Sequence, residues 1–510
     1  MSRINRLKFS HLRNRWQRLL TFSFLTGLVF ALTACQAQSN TTEPIPAQPE
    51  SVSNLQQEAL ADEITVTPFS TRPLYQPGEL VTYIAQSGDT LPALAVRFNT
   101  SVTEILEANN FIPADATTLP PGMPMQIPIY YLPFWGSPYQ IIPDEQFVNG
   151  PAQVDFDTQA FVSQYAGGWL NDYRGYIAGA NRNGAEMIGY IASNFSVSPR
   201  LLLTVLEYEL GALSQPQAPG DNYPLGFNDR RYQGLYLQLT KAANTLNNGY
   251  YAWRTGQLTS LDLADGTLTR IDPWQNAATA ALHYYFAQNH TLAAYQMAIG
   301  PDGFAQTFKN LFGDPWLEQK PHIPGSLQQP EMLLPFEGGK TWSYTGGPHT
   351  AWGTGAPWAA IDFAPPAVIG GCIPSNEWAT AVAPGVIARS DIGIIELDLD
   401  GDGDPRTGWV IFYLHIATRD KVAPGTQVQA GDPLGHPSCE GGTSTGTHIH
   451  IARKYNGEWI LAEGLLAFNL EGWQARNGPE AYQGSLVRFT ETVIACECSN
   501  KNSQVTAQER

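Results

Sequence analysis

Basic residues are scarce: 29 Lys and Arg stand against 46 Asp and Glu in 510 residues, a formal net charge of −17. A chain this acidic repels nucleic acid, which excludes a nucleic-acid partner. After Ala34 there is no apolar run long enough to span a bilayer. Between residues 36 and 68 there is no aromatic side chain. No His-Glu-x-x-His helix occurs anywhere, which excludes a thermolysin-type zinc site. Cysteine is limited to five residues, one at position 35 and four after residue 370.

What is present begins with a basic N-terminus. Arg3, Arg6, Lys8, Arg13, Arg15 and Arg18 precede an apolar run from Leu19 to Ala34, the layout of an export signal. The run ends in Leu32-Thr33-Ala34-Cys35, which resembles a bacterial lipobox. The resemblance implies cleavage before Cys35, acylation of its thiol, and an exported lipoprotein anchored to the membrane at the cell surface or envelope. A signal anchor with a passenger Cys is the alternative. Removing residues 1–35 takes six basic residues and no acid, so 23 basic residues less 46 acids leaves −23. Cys372, Cys439, Cys496 and Cys498 then remain, an even number suited to an oxidising compartment. Cys372 with Cys439 is the preferred disulfide; Cys496 and Cys498 either pair or stay reduced.

Composition divides the rest. Residues 36–79 are rich in Gln, Ser, Thr, Pro and Glu and read as a disordered tether. Residues 80–130 read as a small βααβ unit: a strand from Val81, helical stretches Leu91–Phe98 and Val102–Asn109, and a strand near Ile127. Tyr83-Ile84-Ala85-Gln86-Ser87-Gly88-Asp89-Thr90-Leu91, with Ile105-Leu106, Ala108-Asn109 and Pro121-Gly122, resembles a LysM repeat. The resemblance implies binding of N-acetylglucosamine-containing glycans. Gly88 suits a turn, and Asp89 or Thr90 can cap the next helix.

Residues 150–318 read as mostly helical. Ser198 can cap a helix Arg200–Leu210, with Pro199 in its first turn and Gly211 closing it. The order of Glu209-Leu210-Gly211, Gly234-Leu235-Tyr236-Leu237-Gln238-Leu239 and Ala293-Ala294-Tyr295-Gln296 is similar to lysozyme-like lytic transglycosylases. That resemblance implies Glu209 as a general acid. Leu210 replaces the usual Ser, and a helical spacer with solvated Glu207 and Glu209 is the alternative.

From 333 to 475 the helical period gives way to short apolar runs between Pro-Gly and Gly-Asp turns, which argues for an all-β domain. Residues 476–510 form a C-terminal extension. Expected strands are Thr380–Ala388, Gly393–Leu399, Val410–Ile416, Val428–Leu434 and His448–Ala452. Five of the nine histidines lie here: His349, His415, His436, His448 and His450. In a strand, residues two apart share a face roughly 7 Å apart, so His448 and His450 point into one site. His415 can join them, with Phe412 and Leu414 expected on the opposite side. Two imidazoles and a carboxylate with one open position suit a catalytic zinc ion.

Gly346-Gly347-Pro348-His349, Ala360-Ile361-Asp362-Phe363, Tyr413-Leu414-His415 and Gly446-Thr447-His448-Ile449-His450 resemble the β-lytic and staphylolysin branch of the lysostaphin-type metallopeptidases. The resemblance implies that His349, Asp362 and His450 bind Zn2+, and that His415 and His448 act as base and oxyanion partner in either order. It implies a zinc endopeptidase that cuts peptidoglycan cross-link peptides, with Gly-containing or other small-residue cross-links preferred. His436 falls outside the pattern. Asp398, Asp400, Asp402 and Asp404 alternate along a loop where Ca2+ can be held. An EF-hand is excluded there, because Trp409 stands at the twelfth-ligand position. Two other functions compete: a non-catalytic wall-binding regulatory lipoprotein, and glycan cleavage by the middle domain.

Overall fold

The computed structural model describes residues 72–509, except 134, 368 and 499. The expected signal segment, Cys35 with its lipid, and the tether through residue 71 lie outside the described residues. Among the described residues no helix is long and apolar enough to cross a membrane. The segment from Arg72 is already docked: Arg72 Nη2 donates to Asp272 at 3.0 Å and its guanidinium lies 3.7 Å over the Trp274 ring.

The first unit is the expected βααβ arrangement. Strands Glu79–Ile84 and Pro124–Ile129 pair antiparallel around helices Leu91–Arg97 and Val102–Ala108. Thr90 is the cap of the first helix, its hydroxyl accepting from the Ala93 amide. Asp89 has a different task, because it is buried and accepts from Tyr83 Oη at 2.6 Å and Arg97 Nη1 at 2.8 Å.

The middle region is built on helices Gly184–Phe195, Pro199–Leu210, Leu235–Arg254 and Ala277–Asn289, with Leu292–Ala298 and Phe304–Phe312 packed beside them. Ser198 Oγ accepts from the Leu201 amide, and Gly211 ends its helix in the left-handed region at φ 58°. A hairpin of Arg174–Ile177 and Ala180–Asn183 interrupts the helical character.

The C-terminal region is a nine-stranded antiparallel sheet. Its order is Gln427–Val428, Gly385–Asp391, Gly393–Asp398, Trp409–Ile416, Ile449–Tyr455, Trp358–Ala364, Thr341–Thr350 and Gln504–Thr506, with Glu458–Trp459 paired to Ile449–Tyr455. A second sheet of four short strands spans Asn469 to Ile494. Two expected strands are shorter than their apolar runs. The run 380–388 is split by Pro384, and 428–434 holds only the ends of two short strands around the Gly431 turn.

Alternation divides the large sheet between two cores. Ile411, Tyr413, Ile449 and Ile451 face one core, made within the C-terminal region. Phe412, Leu414, Ala360 and Ala452 face the other, which is continuous with the helical region. The helical region therefore covers one face of the sheet. Where the three regions meet, Glu458 accepts from Arg254 Nη2 at 3.0 Å, Tyr250 Oη at 2.8 Å and His322 Nε2 at 2.7 Å. Arg254 also donates to the Ser87 carbonyl at the turn before Asp89.

Candidate metal centre

Three neighbouring strands bring His349, Asp362 and His450 together. The register sets His450 opposite Asp362, and Asp362 opposite Gly346. His349 Nε2 lies 2.9 Å from His450 Nδ1 and 3.3 Å from Asp362 Oδ1; His450 Nδ1 lies 3.2 Å from the same oxygen. All three residues are buried. Gly346 makes room for the carboxylate, since a Cβ there would sit 2.3 Å from Asp362 Oδ2.

The outer nitrogens fix what the inner ones present. His349 Nδ1 donates to the Gly347 carbonyl at 2.8 Å, and His450 Nε2 donates to the Ala351 carbonyl at 3.0 Å. Each neutral ring then turns a lone pair toward the other and toward Asp362. Three acceptors converge without a donor, and Asp362 Oδ1 is buried with no hydrogen-bond partner of its own. A cation reconciles them. Tetrahedral zinc with bonds near 2.0–2.1 Å separates its ligands by about 3.3 Å, close to the edges of this triangle. Burial works to raise the Asp362 carboxyl, but positive charge on the imidazoles of His349, His450 and His448, where they are protonated rather than facing a cation, outweighs it and holds the group well below the usual carboxylate range.

His448 and His415 face the same point from the side. His448 Nδ1 donates to the Gly446 carbonyl at 2.8 Å, leaving Nε2 3.9 Å from Asp362 Oδ1. His415 Nδ1 donates to the Glu440 carbonyl at 2.9 Å, and its ring centroid is 4.5 Å from that of His448. Burial, with His448 and His450 adding to it, pushes His415 down to about 3.

His415 is placed contrary to simple alternation. Leu414 pairs with His450 and shares its face, and Phe412 lies on that face too, so the expectation that these two turn away from the site is corrected. Strict alternation would send His415 to the other side. Its backbone at φ 66° turns the ring back toward the site instead.

The Cys372–Cys439 disulfide ties the loop around Gly371 to the segment leading into His448, where the Thr447 amide donates to the Gly371 carbonyl at 3.1 Å. Cys496 and Cys498 are also bonded to each other. His436 stands apart, its Nδ1 on the Glu377 carbonyl and its ring against Trp378.

Sequence reasoning missed Tyr482. Its half-exposed ring stacks on His349 with centroids 4.0 Å apart, and its backbone holds φ 68° between bonds to Gly347 and Pro348. No spacing rule joins residue 482 to 349; only the packing of the second sheet does.

The acidic loop closes on itself. Asp398 Oδ2 accepts from the Gly401 and Gly403 amides, Asp402 from the Thr407 hydroxyl, and Asp404 pairs with Arg406. Burial and neighbouring Asp400 push Asp398 up to about 6. One oxygen each of Asp398, Asp400 and Asp402 lies within 4.8 Å of the others, but donors of the loop itself already occupy oxygens of Asp398, Asp402 and Asp404, and the Ca2+ expectation finds no further support.

In the helical region, Glu209 Oε1 lies 3.5 Å from His290 Nε2 with both side chains 16% exposed. Burial raises this carboxyl to about 7.

Residues 83–128 match the LysM domain family, and residues 140–325 match the family described as LasA, N-terminal domain. Protease LasA of Pseudomonas aeruginosa is 27% identical over 339 residues, which cover 63% of this chain and 75% of the relative. The β-lytic metalloendopeptidase of Lysobacter enzymogenes is 29% identical over 173 residues, covering 31% of this chain and 86% of the relative. A solved structure, the M23 metalloprotease pseudoalterin from the deep sea, is 26% identical over 33% of this chain and 96% of its own, with a TM-score of 0.28.

Proposed function

We propose, for a chain that carries a LysM domain and is related to LasA and the β-lytic metalloendopeptidases, that it is a zinc endopeptidase hydrolysing peptidoglycan cross-link peptides. The observation that carries this reading is the triangle of His349, Asp362 and His450, three acceptors that need a cation between them. Zinc held there supplies a Lewis acid that polarises the peptide carbonyl and acidifies water. The chain's own residues do the rest. His415 and His448 each present an Nε2 lone pair, and either can take the proton of the attacking water. The ring that holds this proton becomes a donor able to bond the developing carbonyl oxygen or pass the proton to the leaving amine. Tyr482 adds a phenol hydroxyl, a donor that neither neutral ring offers.

In this reading the LysM unit keeps the enzyme on its polymer and raises the local substrate concentration. The basic N-terminus and Cys35 would make it an exported lipoprotein tied to the membrane. Metal analysis of purified protein should find one zinc per chain, and His450→Ala and Asp362→Ala should abolish peptidoglycan solubilisation with the fold retained. A wild-type chain without stoichiometric zinc would favour the non-catalytic wall-binding reading.

A second reading rests on Glu209, whose raised carboxyl can stay protonated near neutral pH and so serve as a general acid in a lysozyme-like middle domain. Mass spectrometry of digested peptidoglycan separates the two. Freed peptide termini favour the peptidase, and anhydro-muropeptides absent from a Glu209→Gln digest favour glycan cleavage.

A further inference from the structure

The segment 351–357 joins the two strands that carry His349 and Asp362, and it contributes to the third ligand as well. Ala351, 1% exposed, accepts the hydrogen bond from His450 Nε2 at 3.0 Å. That bond selects the tautomer whose Nδ1 lone pair faces Asp362, so the position of the Ala351 carbonyl governs the orientation of the ring. The rest of the segment leaves the sheet: Gly353, Thr354 and Gly355 are exposed, while its near end is held by Trp352, edge-on to Phe412, by the Ala351 amide donating to the Pro357 carbonyl at 3.2 Å, and by the Thr350 hydroxyl donating to the Trp352 carbonyl at 3.3 Å.

Its far end is held by the helical region. Asn244 and Asn248 stand four residues apart on helix Leu235–Arg254 and so share one face. Asn244 Oδ1 accepts from the Thr354 amide and Asn248 Oδ1 from the Ala356 amide, each at 2.7 Å. The two acceptors, about one helical turn apart, meet amides two residues apart on a segment of successive bends.

Two glycines make the approach possible. Gly353 at φ 86° passes so close that a Cβ would sit 2.3 Å from Asn244 Oδ1, and Gly355 at φ 90° would place one 2.5 Å from Asn248 Oδ1. Both take a backbone conformation that side-chain-bearing residues avoid, at the two points where the helix touches the loop.

We propose that Asn244 and Asn248 are positioning residues for the metal centre, acting through the 351–357 segment to hold the Ala351 carbonyl against His450. The inference rests on the zinc reading and extends it. The helical region becomes part of the outer support of a site whose ligands all lie in the sheet. Neither asparagine is a catalytic residue, since neither touches the ligand atoms. Their loss does not strand a fully buried donor, because Thr354 is exposed and Ala356 half-buried, and both amides can turn to water. What is lost is the order of the segment, and with it the fixed orientation of the His450 ring.

The test uses the full chain and two measurements that do not depend on turnover. Competition with a chromophoric chelator gives the zinc dissociation constant, and hydrogen exchange without added metal reports on the Thr354 and Ala356 amides. Outer-shell partners of metal-bound histidines contribute about 10- to 100-fold in affinity. The double variant Asn244→Ala/Asn248→Ala should weaken zinc binding by about tenfold and speed exchange at both amides. Asn248→Asp, which keeps the acceptor oxygen, should bind zinc as the wild type does, whereas Asn248→Ala alone should fall between. Should the double variant fail to fold, the Asn248→Ala and Asn248→Asp pair decides by the same two readings. Unchanged zinc affinity in the alanine variants, whether or not the two amides exchange faster, overturns the inference. A wild-type chain that binds no zinc overturns the metal reading itself, and this inference with it.

Discussion

At His415 a single backbone angle decides whether an imidazole joins the site, because φ 66° overrides the two-residue alternation of its strand. The sequence motif names the residue but cannot supply that angle. Tyr482 repeats the lesson, being held at φ 68° by backbone bonds to a strand more than 130 residues earlier. Non-glycine residues in this region store strain that the surrounding fold must hold. At Glu209 the consequence concerns pH. Its carboxyl is raised to about 7 when folded and titrates near 4.5 when exposed, so the folded chain binds the proton more tightly between these values. Stability is therefore lost as pH rises through that window, by roughly 3 kcal/mol. Glu209→Gln should leave the thermal midpoint unchanged at pH 4.5 and raise it at pH 8, as read by calorimetry.

At the scale of strands, the pairing of Trp358–Ala364 with both its neighbours assembles the candidate site. The strand Ile449–Tyr455 was legible as an apolar run with two histidines on one face. The strand Thr341–Thr350 was not, because Gly346-Gly347-Pro348 reads as a turn when taken alone. In the sheet those small residues leave room for the Asp362 side chain and for the chain at Gln483, and register shifts accommodate them. Gly346→Ala should show this directly. Its methyl would overlap the Asp362 carboxylate, cost about 1–3 kcal/mol as an overpacking change, and lower the zinc bound per chain at equilibrium dialysis. Normal zinc content with normal stability would show that the carboxylate can move aside freely.

Across the whole molecule, the three regions share buried contacts and are not beads on a string. Burial alone would raise the Glu458 carboxyl, but Arg254 and His322 outweigh it and hold it at about 2. This interaction is fully present above the ordinary glutamate range and fades as pH falls from about 4.5 toward 2. Arg254→Met would leave Glu458 and Asp144, both buried, without their guanidinium. Breaking a buried ion pair from one side costs about 3–5 kcal/mol. The variant should lose that much in denaturant titration and unfold in acid at a higher pH than the wild type.

Local chemistry made individual elements of the chain readable. Caps, turn glycines, alternation and the clustered histidines each act over a few residues, so one chain of letters carries them. That is why the βααβ unit, the helix Pro199–Leu210 and the histidine pair at 448 and 450 could be anticipated. Only the folded molecule could decide that the helical region lies on the face of the sheet that carries His349, Asp362 and His450. The same holds for Tyr482 reaching His349 and for Asn244 and Asn248 gripping the loop beside His450. Such contacts join residues roughly 100 or more positions apart, and their free energy depends on shape and distance that no local pattern encodes.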